Sequence, residues 1–223
     1  MNNKKIIFII ISVLLIIGSS LFLFKNNYKK VNLGNNITKS QEKLEEYILN
    51  INSYEAEVEV TINSNKNTNK YLIKQKFCSP NTFSQEVIQP ENIAGLKTIL
   101  DGEKLTIENS KINLTQIYEN YEYLNENSLS LYDFIQDYMQ DTNSKYIKNE
   151  DNIILETKPK QENPYLKNKK LYLDGKTGMP IKMEVQDNNQ NTLVYILYKE
   201  VKINSTNRES IIAFKLLDHK TNI

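Results

Sequence analysis

The chain has 223 residues, 39% hydrophobic and 25% charged, with a formal net charge of +1, enough for one anchor and one domain with a real core. Five of its 28 basic residues, Lys4, Lys5, Lys25, Lys29 and Lys30, precede position 31, where there is no acid, so the rest carries 23 basic against 27 acidic residues. A mildly acidic body argues against non-specific nucleic-acid binding, and a single cysteine, Cys78, excludes an intramolecular disulfide.

Ile6 to Phe24 is an uncharged, almost wholly apolar run, long enough to cross a hydrocarbon core of about 30 Å as a helix. A cleaved signal peptide is the other reading. It would want a shorter apolar core and an A-x-A-like site, and this stretch has no alanine. Nor does a cysteine follow Gly18-Ser19-Ser20 to carry a lipid. Lysines flank both ends, so charge alone does not orient the span. The expectation is an uncleaved single-pass anchor over residues 1–30 in a bacterial cell membrane. Residues 31–223 then form a domain on the extracytoplasmic side, where a body without a nucleotide or metal motif has its use.

After a polar linker, Ile37 to Ile51 reads as an amphipathic helix with Ile37, Leu44, Tyr47, Ile48 and Ile51 on one face. Glu55 to Ile62 alternates strictly: Ala56, Val58, Val60 and Ile62 face one way, and Glu55, Glu57, Glu59 and Thr61 the other. The glutamate row is the wet face of a strand. General acid–base work would need a desolvated partner to separate two carboxyl pKa values, and none is evident. Lys70 to Phe77 returns from a polar loop. Further strands are expected at Thr82–Ile88, Leu96–Asp101, Lys104–Glu108 and Lys111–Ile117, punctuated by Pro80, Pro90 and the Asp101-Gly102 turn.

A second helix is expected over Ser128–Gln140, with Leu131, Tyr132, Ile135, Tyr138 and Met139 as its apolar face and Ser130 as a candidate cap. A strand pair lies around Ser144–Thr157. Then LYLDGKTGMPIKMEVQDNNQNTLVYILYKEVKIN, Leu171–Asn204, alternates with period two around two Gly- and Asn-rich turns, the pattern of an antiparallel meander. Glu209–Leu217 is read as a final strand. Helix, strands, helix, strands is an α+β order: a large antiparallel sheet with helices on one face, which must curl at this size into a half-open β-barrel.

The residues name no catalytic group, cofactor site or metal site. His219, the only histidine, lies in the tail DHKTNI without a marked partner. One His and one Cys do not make a zinc site. Asp187-Asn188-Asn189-Gln190-Asn191 lacks the glycine and terminal glutamate of a calcium loop. Gly175 and Gly178 sit between strands, where a phosphate loop must open a helix. The sequons at Asn36, Asn113 and Asn204 carry no weight in a bacterium.

The meander resembles the C-terminal half of the LolA/LolB-like lipoprotein-carrier superfamily. The resemblance rests on Asp174, Thr177, Gly178, Pro180 and Asp187 in "strand, D-x-x-T-G-x-P, strand, D-x-x-G, strand", with Asn-rich residues replacing the last glycine. The helix before Tyr54-Glu55-Ala56-Glu57-Val58 and the run FSQEVIQPENIAGLKTILDGEKL fit the same layout, so the likeness spans about Thr38 to Asn204. Within it, the chain is most similar to the clostridial germination lipoproteins of the GerS family, from which it departs by lacking the lipidated cysteine. The resemblance implies a curved LolA-like sheet and a non-enzymatic, membrane-associated role in spore germination and cortex degradation. It also implies a partner N-acetylmuramoyl-L-alanine amidase. The alternative it implies is a lipid or lipoprotein carrier, or an envelope sensor, with lipid in the concave face. Open sheet edges leave a homodimer as a further expectation.

Overall fold

The computed structural model describes residues 43–121, 129–160 and 166–212. The apolar run Ile6–Phe24, the first half of the expected first helix and His219 lie outside the described residues. Among the described residues no helix is long and apolar enough to cross a membrane. Two compact units divide the chain, Met1–Glu46 and Tyr47–Ile223. Helix α1 covers residues 43–49. Ile48 is fully buried and Ile51, just past the helix, nearly so, whereas Tyr47 is exposed and is not part of the core face.

Eleven strands follow. β1 is Ser53–Asn63, β2 Thr68–Cys78, β3 Thr82–Gln89, β4 Leu96–Asp101, β5 Lys104–Asn109 and β6 Leu114–Tyr118. Helix α2, Leu131–Gln140, comes next. β7 is Lys145–Lys148, β8 Asn152–Thr157, β9 Asn168–Asp174, β10 Pro180–Gln186 and β11 Thr192–Ile203. Helix α3, Arg208–Ile212, ends the described chain.

All eleven strands form one open, curved antiparallel sheet in the order β6-β5-β4-β3-β2-β1-β11-β10-β9-β8-β7. It is two meanders sewn together by β1 and β11, which pair from Tyr54↔Ile203 to Ile62↔Val194. Bulges at Glu57/Val58, Leu72/Ile73 and Val185/Gln186 bend the strands. β6 and β7 are the two edges, and α2 lies between them in the chain.

Alternation places the core on the α2 side. Ala56, Val58 and Val60 of β1 are buried with Ile153, Leu155, Leu171, Leu173, Met183, Val185 and Ile196 from the second meander. From α2 come Leu131, Phe134, Ile135 and Tyr138, at i, i+3, i+4 and i+7. Each such side chain contributes on the order of 1.5–3 kcal/mol. The expected face of α2 is corrected at two positions: Phe134 belongs to it, and Met139 is exposed.

The other face carries the glutamate row among lysines. Glu55 pairs with Lys76 at 3.1 Å and Glu59 with Lys199 at 2.9 Å. Farther along, Lys145, Glu156, Lys170 and Glu184 lie opposite one another in successive strands as an alternating charge ladder.

Two corrections concern the ends of elements. The strand expected from Lys111 begins at Leu114, because Asn113 takes φ +50° and makes the turn. The expected strand at Glu209–Leu217 is a helix over its described part. Asn207 Oδ1 accepts the Ser210 N–H at 2.9 Å and starts it. α3 packs on β2, β3 and β4, with Ile211 buried. Arg208 binds Asp101, which alternates away from the α2 side. Helices therefore lie on both faces, not on one.

Candidate partner-binding face

The register carries one continuous row across six strands on the α2 side. Tyr54 faces Phe77, Phe77 faces Phe83, Phe83 faces Leu100, Leu100 faces Leu105 and Leu105 faces Tyr118. Directly opposed residues share a face, so these six apolar and aromatic side chains form a stripe from the sheet centre to its free edge.

The central end of the stripe is sealed by the start of α2. Ser130 Oγ caps the helix by accepting the Asp133 N–H at 3.4 Å, and Asp133 sits favourably in the first turn. Tyr54, fully buried, accepts the Leu131 N–H on its hydroxyl at 3.3 Å. Burial pushes its phenol pKa well up, so the group stays protonated. Gln75 donates to the Leu129 carbonyl at 3.0 Å, and Phe77 stacks on Tyr132 with ring centroids 4.1 Å apart. Burial, and then the Asp133 charge, raise the Tyr132 phenol as well.

The far end of α2 is held by ionic contacts. Lys169 Nζ of β9 donates to Asp137 Oδ2 at 2.6 Å, both side chains being buried, and Asp137 Oδ1 accepts the Lys160 N–H at 3.0 Å. Asp141 accepts from the Lys158 N–H, the Asn143 N–H and Thr157 Oγ1. These bonds, the Lys158 N–H first, hold its carboxyl below the usual carboxylate range.

Beyond α2 the stripe emerges. A cleft of about 330 Å³ opens between the helix start and the β2–β3 and β4–β5 turns. Phe77, Phe83, Leu100, Tyr121 and Tyr132 supply its apolar walls, and Glu103 and Asp133 its only charged lining among the described residues. Tyr121 is set there by its N–H bond to the Glu103 carbonyl at 2.7 Å. Past the cleft the stripe ends at Tyr118, 46% exposed on β6.

The residues weighed from sequence fall elsewhere. Cys78 closes β2, half-buried and free. The Glu59 carboxyl is held low by its hydrogen bond from Lys199, the opposite of a raised general acid. Asp187 accepts the Asn189 and Asn191 N–H groups at 2.8 Å each, and Asp174 accepts from Thr177 N–H and hydroxyl at 2.7 Å. Both act as turn residues. Asn204 Oδ1 accepts the Asn52 and Ser53 N–H groups. Among the described residues no cluster of three His, Cys, Asp or Glu could hold a metal ion. The stripe itself was missed, because it needs strand register, which sequence alternation alone does not fix.

Curated proteins offer no match. Among solved structures, this chain is similar to a chain in the structure of the CwlD amidase from Clostridioides difficile in complex with the GerS lipoprotein. The identity is 26% over 73% of this chain and 93% of that one, with TM-score 0.47. It is similar to the LolA superfamily protein NE2245 from Nitrosomonas europaea, at 10% identity over 79% and 97% of the chains, TM-score 0.41. It is also similar to MucB in the Pseudomonas aeruginosa MucA/MucB complex, at 12% identity over 79% and 60%, TM-score 0.43. The LolA superfamily and the GerS lipoprotein, the two likenesses read from the sequence, both stand among these solved structures. The sporulation protein YdcC-like model matches residues 3–211, and the chain belongs to that family.

Proposed function

We propose that this protein is a non-enzymatic accessory factor of sporulation. In this role it is held at the outer face of the membrane, or in the forespore–mother-cell space, by Ile6–Phe24, and binds and activates a cell-wall N-acetylmuramoyl-L-alanine amidase during germination. Membership of a sporulation family supports the setting. The amidase is the partner class that the GerS-like layout of the sequence names.

The observation that carries a docking role over a carrying one is the state of the α2 side. A carrier needs an emptied concave face. Here α2 fills it with Leu131, Phe134 and Ile135, over strands whose inward side chains are no more than 1% exposed at Ile153, Leu155, Leu171, Leu173, Met183 and Ile196. The second reading, a lipid carrier or sensor, draws on the cleft that remains. Its volume of about 330 Å³ is at the low end for a small-ligand site, and among the described residues no cation lines it to meet a lipid phosphate.

Co-purification tests the proposal. The full chain, co-expressed with the amidase of the same organism, is expected to elute with it as one complex on size exclusion. Separate elution, with lipid extracted from the purified protein, would transfer support to the carrier reading.

A further inference from the structure

The two edges of the sheet are built differently. β7 reads Lys145-Tyr146-Ile147-Lys148, an edge strand with a lysine at each end. Lysines on an edge discourage a foreign strand, since pairing would bury their charge. β6 reads Leu114-Thr115-Gln116-Ile117-Tyr118, without a charge or a proline. Thr115 to Tyr118 are exposed. Three of the six exposed large hydrophobic side chains among the described residues, Ile112, Ile117 and Tyr118, lie on β6 or just before it. A β-prone, uncharged edge with open main-chain donors and acceptors is what proteins avoid unless something pairs with it.

The neighbouring strands extend the same property inward. On the α2 side β4 presents Leu96, Thr98 and Leu100, β5 presents Leu105, Ile107 and Asn109, and β6 presents Leu114, Gln116 and Tyr118. None of these nine side chains is charged. Lys97, Asp101, Lys104 and Glu108 all alternate to the other face, where Lys97 pairs with Glu108 at 3.3 Å and Arg208 with Asp101 at 2.6 Å. On the α2 side of these three strands, among the described residues, charge comes in only at the Tyr118 end, where Glu103 of the β4–β5 turn lines the cleft.

We infer that β6 is the docking edge for the protein partner, which adds an extended strand to it. This inference rests on the partner-binding function proposed above and names its surface. The occupant is a segment of the partner, uncharged over about five residues. Its alternate apolar side chains extend the apolar α2-side surface that ends in the row Phe83–Leu100–Leu105–Tyr118, and it carries a lysine or arginine at the cleft end to meet Glu103. Main-chain hydrogen bonds to β6 give the affinity, while the row and the Glu103 carboxylate set the register.

The test uses the full chain and the amidase of the same organism, with binding measured by titration. Ile117→Lys and Tyr118→Lys change exposed side chains and place charge on the edge. Ile147→Lys does the same on β7. Thermal melts show whether each variant is folded. The expected result is a loss of affinity of at least about tenfold for the β6 variants, wild-type affinity for Ile147→Lys, and exchange protection gained by the amides of 114–118 in the complex. Wild-type affinity in folded β6 variants, with no protection on 114–118, overturns the docking edge while leaving the partner itself intact. Absence of any complex with the wild-type chain overturns both. A wild-type chain that self-associates and becomes monomeric on Ile117→Lys, with amidase binding unchanged, assigns the edge to a second copy and overturns the inference too.

Discussion

Asp137 of α2 and Lys169 of β9 form a buried ion pair, 2.6 Å from Nζ to Oδ2, with side chains 9% and 1% exposed. It fixes the C-terminal half of the helix to the second meander. Asp137→Ala strips the counterion from a buried ammonium and is expected to cost about 3–5 kcal/mol. The joint replacement Asp137→Leu with Lys169→Met removes both charges and is expected to be near neutral or stabilising. Urea denaturation midpoints at constant slope measure both. Equal losses in the single and joint variants would contradict the assignment.

At the other end of the helix, the Tyr54 hydroxyl accepts the Leu131 N–H in a site with no water access. Tyr54→Phe keeps the ring against Phe77 and deletes that acceptor. The expected loss is about 1–2 kcal/mol, the cost of a buried donor left unmade, and Ser130→Ala should cost about 1 kcal/mol through the cap. Circular-dichroism melts of the two variants give the values.

Acid should weaken the fold through Asp101 and Asp141. Asp101 is held low first by the hydrogen bond from Arg208 and Asp141 first by the Lys158 N–H. For carboxylates depressed in the folded state, stability is fully present above the unfolded pKa of about 3.9 and is lost as pH falls through the folded values. Stability is therefore expected to be flat on this account above about pH 5 and to fall below about pH 4. Both groups are largely solvated, so their combined share is on the order of 1 kcal/mol. Asp101→Asn should flatten the acid limb of a stability–pH profile.

The β9–β10 turn is expected to tolerate no side chain at Gly175. A Cβ there would meet the Asp151 carbonyl oxygen at 2.8 Å, and backbone has little room to yield. Gly175→Ala is expected to destabilise by about 1–3 kcal/mol, whereas Lys176→Ala, exposed in the same turn, should leave the melting temperature unchanged.

Much of this fold was legible because its strands alternate cleanly. Ala56, Val58 and Val60 against Glu55, Glu57 and Glu59 announced both faces of β1, and Asp174, Thr177 and Gly178 announced the β9–β10 turn through residues whose side chains make it. The errors have local causes. Helix α3 was read as a strand because Ile211 and Ile212 are β-branched, and the Asn207 cap that decides the matter was overlooked. Phe134 was missed on α2 because Met139 gave an equally apolar face, and only packing chooses between them. The candidate binding face was not legible at all. Phe77, Phe83, Leu100, Leu105 and Tyr118 are scattered over forty-two positions, and a one-residue slip in any pairing would break the row they make.

The most direct measurement is the rate at which the amidase hydrolyses spore-type peptidoglycan as this protein is titrated into it. The account predicts a rate that rises and saturates at a fixed ratio of the two proteins, with the Tyr118→Lys variant needing at least about tenfold more protein for the same effect. A rate unchanged across the titration, with both proteins folded, would contradict an accessory role and leave the stripe without its assigned purpose.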